Sequence, residues 1–434
     1  MEDNQNYFDR VGTAPTGGAS KGEKGSDKGI FLVGLIVGIA SSLLIVAIAF
    51  LAVRTQKAVD DRKEESLQAE LTENSAITAN VIRKLQALEE VIDRYYFLGE
   101  VTDEELQNGM YKGLLNALGD PYSEYYTAEE LSAMMEQSEG IYYGIGAYVE
   151  LDKTTGLPKI NGTIGNSPAE EAGLRADDII YEVDGESTYG LSLTEAVALI
   201  KGPEGTEVTL TLVRQGESDY LYVTMTRRRV ESPTVEFSMV EDDMAYIQVT
   251  EFDDVTVDQF AEALATARGS GAKGIILDLR GNPGGNLDAV VDMCEMILPK
   301  GLIVYTEDKY GQRSEYKCDG EREMKEPMVV LVDRNSASAA EIMAGAIKDY
   351  GIGTLVGTTT FGKGIVQSVM PLRDGSAIKV TISAYYTPNG NNIHGIGIEP
   401  DVVCEFDGET YYGSDGQIDN QLNRAKEVLR GMIK

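Results

Sequence analysis

Residues 273–298 read KGIILDLRGNPGGNLDAVVDMCEMIL. An apolar run, IILDL, leads into a turn rich in glycine and proline, and then into apolar residues at helical spacing. That is the pattern of a buried strand handing over to a helix. It recurs downstream, where MVVLVD (328–333) is a buried strand and SAAEIMAGAIKDY (338–350) the helix behind it. Upstream, AYIQVTEF (245–252) reads as a strand and VDQFAEALATAR (257–268) as a helix. Strands alternating with helices predict an α/β core on a largely parallel sheet. Around it, 304–317 reads as a hairpin, 364–386 as β-rich and 417–433 as a closing helix.

The segment ahead of this core has a different pattern. Residues 103–118 read as a helix stopped by Asp120-Pro121. From 140 to 228 short strands alternate with glycine turns. YYGIGAYVEL (142–151) alternates as one strand. SPAEEAGLRADDIIYEVDG (167–185) is a short helix, a turn and a strand. LSLTEAVALIKGPEGTEVTLTLVRQG (191–216) is a helix, a turn and a long strand.

The N-terminus sets the expected location. Residues 1–29 are polar and glycine-rich and predict a disordered head. Residues 30–53, IFLVGLIVGIASSLLIVAIAFLAV, run without a charge. A spanning helix needs about 20 residues, and a cleaved signal has an apolar region of about 7–15. The expectation is an uncleaved transmembrane anchor. Lysines and arginines flank it on both sides, so charge barely orients it; the short head and long acidic body favour a translocated body. Beyond it, Val81, Leu85, Leu88, Ile92 and Tyr95 form a helical stripe that serves either to pack the helix on its own domain or as a homodimer contact.

Composition narrows the function. The 434 residues carry 38 Lys plus Arg against 71 Asp plus Glu, a net charge of −33. Such a chain has no field with which to hold a phosphate backbone, so nucleic acid is excluded as a partner. Three cysteines form no disulfide scaffold or zinc ribbon. Cys294 reads as a helix core residue, Cys318 as part of the hairpin and Cys404 as a late-strand residue. The single histidine, His394, sits in a turn, NIHGIG, and reads as a loop residue before a catalytic one. Chemistry that needs a histidine base has only this residue to use. No metal or cofactor is expected.

Functional groups in open α/β sheets gather where strands hand over to helices. Three such junctions stand out: DLRGNPGGN (278–286), DRNSASAAEI (333–342) and GTTTFGKGIVQ (357–367). Ser338-Ala-Ala-Glu341 fits a helix capping box, a purely structural role. The same position also suits a nucleophile, because a helix N-terminus favours developing negative charge and the Ala339 amide can donate to an oxyanion. Ser336 is a rival at the same corner. Lys363 lies between two glycines with Ile365 and Val366 close behind. A desolvated lysine has a lowered pKa and serves as a general base. Gln367, four residues on, is placed to hydrogen-bond it.

DLRGNPGG, NSASAAEI and TFGKGIVQ resemble the signature blocks of the C-terminal processing peptidases, the tail-specific serine proteases. YYTPNGNNIHGIGIEPDV (385–402) and LLNALGDPYSEYYT resemble further family blocks. Residues 140–228 resemble a PDZ domain in GIG (144–146), SPAEEAGLRADDII (167–180), VDG (183–185) and the helix before KGPEGTEVTLTLVR. The resemblance implies Ser338 as nucleophile, Lys363 as general base, Gln367 as its orienting partner, and Gly284 and Ala339 as oxyanion-hole amides. It implies that Gly144, Ile145 and Gly146 hold a peptide carboxylate, a role glycine suits because it lets amides converge on an anion. It further implies a core related to the crotonase/Clp-like fold and a body outside a bacterial cytoplasmic membrane.

The expected layout is a disordered cytoplasmic head (1–29), a transmembrane helix (30–53), a helical linker and N-terminal helical segment (54–139), a PDZ domain (140–228), a peptidase core (229–410) and a C-terminal helix (411–434). The expected function is a membrane-anchored serine endopeptidase with a Ser-Lys dyad, whose partners are protein or peptide substrates with accessible C-termini. A homodimer and an adaptor protein are left open. The alternatives are an inactive PDZ-bearing scaffold on the same fold, and an acyl-transfer or hydratase enzyme on a related one.

Overall fold

The computed structural model describes residues 76–433. The expected anchor at 30–53 lies outside them. Among the described residues no helix is long and apolar enough to cross a membrane. The chain divides into two units, one ending at Thr102 and one beginning at Asp103. The described part of the first is a helix, Ala79–Tyr95, capped by the Thr78 side chain, which buries none of its residues.

The second unit is built on a six-stranded sheet in the order Val235–Glu241, Met244–Val249, Gly274–Asp278, Met328–Val332, Gly353–Gly357 and Val402–Val403. The first pair is antiparallel and every later pair parallel. Gly274–Asp278 and Met328–Val332 are buried along their whole length, as strands covered on both faces must be. Ile275, Leu277, Val330 and Val332 pack with Phe260, Leu264, Met293, Met343 and Ile347 of the helices Asp254–Gly269, Leu287–Glu295 and Ala339–Tyr350. Ile276, Val329 and Leu331 point the other way, onto Ala425 and Leu429 of the closing helix Asn420–Met432. The edge strand Val235–Glu241 is absent from the sequence reading, although Val235, Phe237 and Met239 alternate with polar residues as a half-buried strand does.

A second, antiparallel sheet pairs Ile365–Pro371 and Gly301–Asp308 with Ala377–Tyr386, and Arg313–Cys318 with Gly301–Asp308. The strand Glu124–Tyr126, from far upstream, joins it with Glu124 opposite Lys379. Cys294 and Cys318 are buried, and all three cysteines are free.

Residues 141–231 form the PDZ fold. A two-stranded ribbon, Ile141–Gly144 against Arg228–Glu231, leads in and out. At its base the Ser232 N–H donates to the Gly140 carbonyl (2.8 Å). The body is a sheet of Ala147–Leu151, Pro158–Thr163, Ile179–Val183, Glu207–Val213 and Leu221–Thr226, closed by the helix Leu193–Ile200 around Ile160, Ile180 and Leu210. The single strand expected at 142–151 is two strands. Gly146 breaks it at φ +75°, and a Cβ there would stand 2.3 Å from Ser167 Cβ.

Candidate active site

The turn after Met328–Val332 is fastened before it reaches Ser338. Ser336 is fully buried; its hydroxyl donates to the Leu279 carbonyl (2.8 Å) and accepts from Asp333 N–H (2.9 Å). This removes Ser336 as a rival nucleophile, since it has no open face. Asp333 Oδ1 accepts from Gly281 N–H (2.9 Å), and Ala337 N–H donates to the Asn282 carbonyl (2.9 Å). The 278–286 and 333–338 junctions are therefore laced together.

Ser338 sits at φ 55°, ψ −114°, outside the regions an L-residue normally occupies. Such a conformation costs of order 1–3 kcal/mol and persists only where the surroundings enforce it. Here Ser338 N–H donates to Glu341 Oε2 (3.0 Å), and the Ser338 carbonyl accepts from the hydroxyl of buried Tyr385 (3.0 Å). The capping-box pairing of Ser338 with Glu341 is present, yet the Ser338 hydroxyl makes no side-chain cap hydrogen bond. Gly284, at φ +107°, lies against the serine: a Cβ there would be 2.7 Å from Ser338 Cβ and 3.0 Å from Ala339 N. The structure thus brings Gly284, Ser338 and Ala339 together. The Gly284 N–H, expected to face an oxyanion, donates instead to Oδ1 of buried Asn282 (2.8 Å), because the Asn282 side chain is pinned within reach by donating to the Val249 carbonyl (2.8 Å).

Glu341 does more than cap its helix. It is fully buried. Oε1 accepts from the Thr360 hydroxyl (2.5 Å) and Gly362 N–H (2.7 Å), and Oε2 accepts from Lys363 N–H (2.8 Å) as well as Ser338 N–H. One carboxylate holds the serine and lysine segments in register.

The Lys363 side chain is half-buried, and its Nζ lies 4.5 Å from the centre of the Tyr122 ring, an ammonium–aromatic contact. No hydrogen bond joins it to Ser338 among the described contacts. Burial pushes its pKa down and nearby Lys379 adds to the fall, while Asp120 and Glu341 oppose it. Gln367 was expected to orient the ammonium. Its Nε2 donates instead to Thr381 Oγ1 (3.2 Å), because a bulge between Val366 and Gln367 turns it toward the paired strand. His394 is exposed. It lies in a turn packed on the lysine loop, where a Cβ on Gly364 would meet His394 N at 2.6 Å.

Three residues of this site go beyond the sequence reading: Glu341, seen there only as a cap, and Asp120 and Tyr122. Asp120 and Tyr122 stand over 240 positions from Lys363, and no local pattern links them to it.

In the PDZ domain, Gly144, Ile145 and Gly146 line one end of a groove of about 150 Å³ with Val149, Val197 and Ile200. The loop is tied back through its carbonyls. Ile145 accepts from Ala169 N–H (2.8 Å), and Gly146 accepts from Ile164 N–H (2.9 Å) and the Ser167 hydroxyl (3.0 Å).

A PDZ domain joined to an α/β core with a strained serine at a helix N-terminus defines a PDZ-bearing serine peptidase. Residues 243–404 match peptidase family S41, residues 161–214 a PDZ domain, and residues 39–130 the activating protease CtpB N-terminal domain. The carboxy-terminal processing protease CtpA of Bacillus subtilis is 38% identical over 322 residues, spanning 74% of this chain and 68% of that protein. The carboxyl-terminal-processing protease of Synechocystis is 36% identical over 324 residues, spanning 74% and 76%. Among solved structures, the photosystem II D1 C-terminal processing protease is 29% identical, with a TM-score of 0.44, over 76% of this chain and 94% of that one. The chain belongs to the carboxy-terminal processing proteases, serine-type peptidases of family S41.

Proposed function

We propose that the protein is a membrane-anchored endopeptidase that cuts extracytoplasmic proteins with a Ser338-Lys363 dyad, its PDZ domain recognising substrate C-termini. The observation that carries the dyad is the Glu341 carboxylate, which accepts from the backbone N–H of both Ser338 and Lys363. Ser338 Oγ attacks the scissile carbonyl carbon as its proton passes to neutral Lys363. The Ala339 amide, and that of Gly284 once it turns from Asn282, hold the oxyanion. Collapse expels the amine, which takes the proton from Lys363. Water then attacks the acyl-enzyme with Lys363 again as base, and Ser338 is restored. In this scheme the parked lysine, the diverted Gln367 and the engaged Gly284 amide make the described conformation a resting one. Residues 30–53 would anchor the chain in a bacterial cell membrane, with homodimer or adaptor contacts on the extracytoplasmic body.

Incubation with an unstructured protein tests the dyad. Ser338→Ala and Lys363→Ala should each abolish cleavage, and full proteolysis by Lys363→Ala would refute it. Amidating a substrate's C-terminus should raise KM, because the Gly144-Ile145-Gly146 amides suit a charged carboxylate better than a neutral amide. Equal cleavage of free and amidated substrates would refute the PDZ assignment.

A further inference from the structure

We infer that the turn Asp120–Ser123 is a component of the active centre, in which Tyr122 and Asp120 hold the Lys363 side chain as a parked ammonium and oppose its use as a base. The inference rests on Lys363 being the general base proposed above. It assigns two positioning residues that precede the PDZ domain in the chain.

The Lys363 Nζ lies over the Tyr122 ring at 4.5 Å. The ring face is the negative end of its quadrupole and favours a cation. The turn is held rigidly for this role. Asp120 accepts from Tyr122 N–H (3.0 Å) and the Ser123 hydroxyl (2.6 Å), and Ser123 Oγ accepts from Thr381 N–H (3.1 Å). The next residues, Glu124–Tyr126, pair with Lys379, Ile378 and Ala377. The same long strand pairs with Ile365–Pro371, which follows Lys363 directly. The turn is thus bolted to the sheet that carries the base.

The groups that act on Lys363 come from three elements: the Tyr122 ring against it and the Asp120 charge on the turn, Glu341 on the serine helix and Lys379 on the long strand. Asp120 and Glu341 favour the ammonium; burial and Lys379 disfavour it. Lys379 is itself occupied by Glu124 (3.1 Å) and the Tyr126 hydroxyl (2.6 Å). Glu341 is committed to three backbone N–H groups and the Thr360 hydroxyl. Burial pushes the Asp120 carboxyl up, but hydrogen bonds from Ser123, Thr381 and Tyr122 outweigh it and hold the pKa below the ordinary value. Asp120 therefore carries its charge throughout the neutral range. A helix stop alone would need neither an aromatic ring on the lysine nor a fixed carboxylate beside it.

The test uses the full chain with Asp120→Asn, Tyr122→Leu, Tyr122→Phe and Ser123→Ala. Two midpoints are measured: that of Lys363 labelling by an amine-reactive ester against pH, read by mass spectrometry in the Ser338→Ala background, and that of the acid limb of kcat/KM. Asp120→Asn is isosteric and keeps an acceptor for Tyr122 N–H. It should lower both midpoints by about half a pH unit, as should Tyr122→Leu. At a pH below the limb, kcat/KM then rises about threefold. Tyr122→Phe keeps the ring face and the midpoint. Ser123→Ala changes no charge and leaves the midpoint in place, even where it weakens the turn. A purely structural turn would lower activity without moving either midpoint. Labelling midpoints that stay fixed, or rise, in both Asp120→Asn and Tyr122→Leu overturn the inference. A labelling midpoint that falls while the kinetic limb stays fixed overturns Lys363 as the base but leaves the hold on its ammonium standing.

Discussion

Replacing Glu341 by glutamine probes the connection between the Ser338 and Lys363 segments, the proposed dyad, with the smallest change of shape. The carboxylate accepts four donors in a fully buried position. An amide supplies one oxygen and one NH₂. If the NH₂ replaces Oε2, it faces the N–H groups of Ser338 and Lys363. If it replaces Oε1, it faces Gly362 N–H and the Thr360 hydroxyl, whose oxygen already accepts from Ile398 N–H (2.7 Å). Either way at least one buried N–H loses its acceptor, at about 1–3 kcal/mol, and the remaining bonds lose their charge assistance. A total near 3 kcal/mol is expected, or roughly 4–6 °C in Tm for a unit of this size. Activity should fall further than stability, because a displacement of about 1 Å between nucleophile and base costs about 10²-fold. Differential scanning calorimetry and cleavage of an unstructured protein measure the two effects. A Glu341→Gln protein within about 2 °C and twofold of wild type would refute the reasoning.

Further outcomes follow from the same geometry. Activity should rise from neutral to alkaline pH, because the proposed base, Lys363, acts only when neutral and its pKa lies below the ordinary lysine value; a flat kcat/KM between pH 6 and 9 would contradict it. Gly284→Ala should lose both activity and stability. Its Cβ would meet the Ala337 carbonyl at 2.9 Å and Ser338 Cβ at 2.7 Å, with φ at +107°; an unchanged Tm would contradict the close packing. Burial, with Glu251 and Asp254 adding to it, pushes Asp253 up to about 7. Its folded pKa exceeds the unfolded value near 3.9, so its contribution is fully present below about pH 4 and is lost as pH rises through about 7. Asp253→Asn should flatten that part of the stability curve, and an unaltered slope in urea melts from pH 5 to 8 would sink the assignment.

The parallel core is legible in the sequence because IILDL and MVVLVD are apolar without alternation and run into polar turns, RGNPGG after the first and RNS after the second. Locally determined caps, such as Ser338 with Glu341, are legible for the same reason. What the sequence hides is long-range. Glu341 reads as a cap because its first partner is three residues away, while Thr360, Gly362 and Lys363 lie 19 to 22 residues on. Tyr122 reaches Lys363 only because a three-residue strand pairs across 253 positions with the far side of the core. The broken strand at 142–151 shows a different blind spot. Alternation survives a kink at Gly146, so the period alone does not reveal it.

The ribbon at the base of the PDZ fold has a consequence for how the molecule can vary. Gly140 and Ser232 are joined by a backbone hydrogen bond, and the sheet strands on either side, Glu124–Tyr126 and Val235–Glu241, belong to the catalytic body. The PDZ fold is thus a module spliced into a catalytic body through one closed neck, not a bead on a string. Two chains crossing together let the module tilt but resist its spinning about the neck. They also leave the excised ends one hydrogen bond apart. A different recognition module with termini as close could occupy the same neck without disturbing a single pairing in the sheets that do the cutting. The module in the neck and the sheets of the catalytic body can therefore change separately.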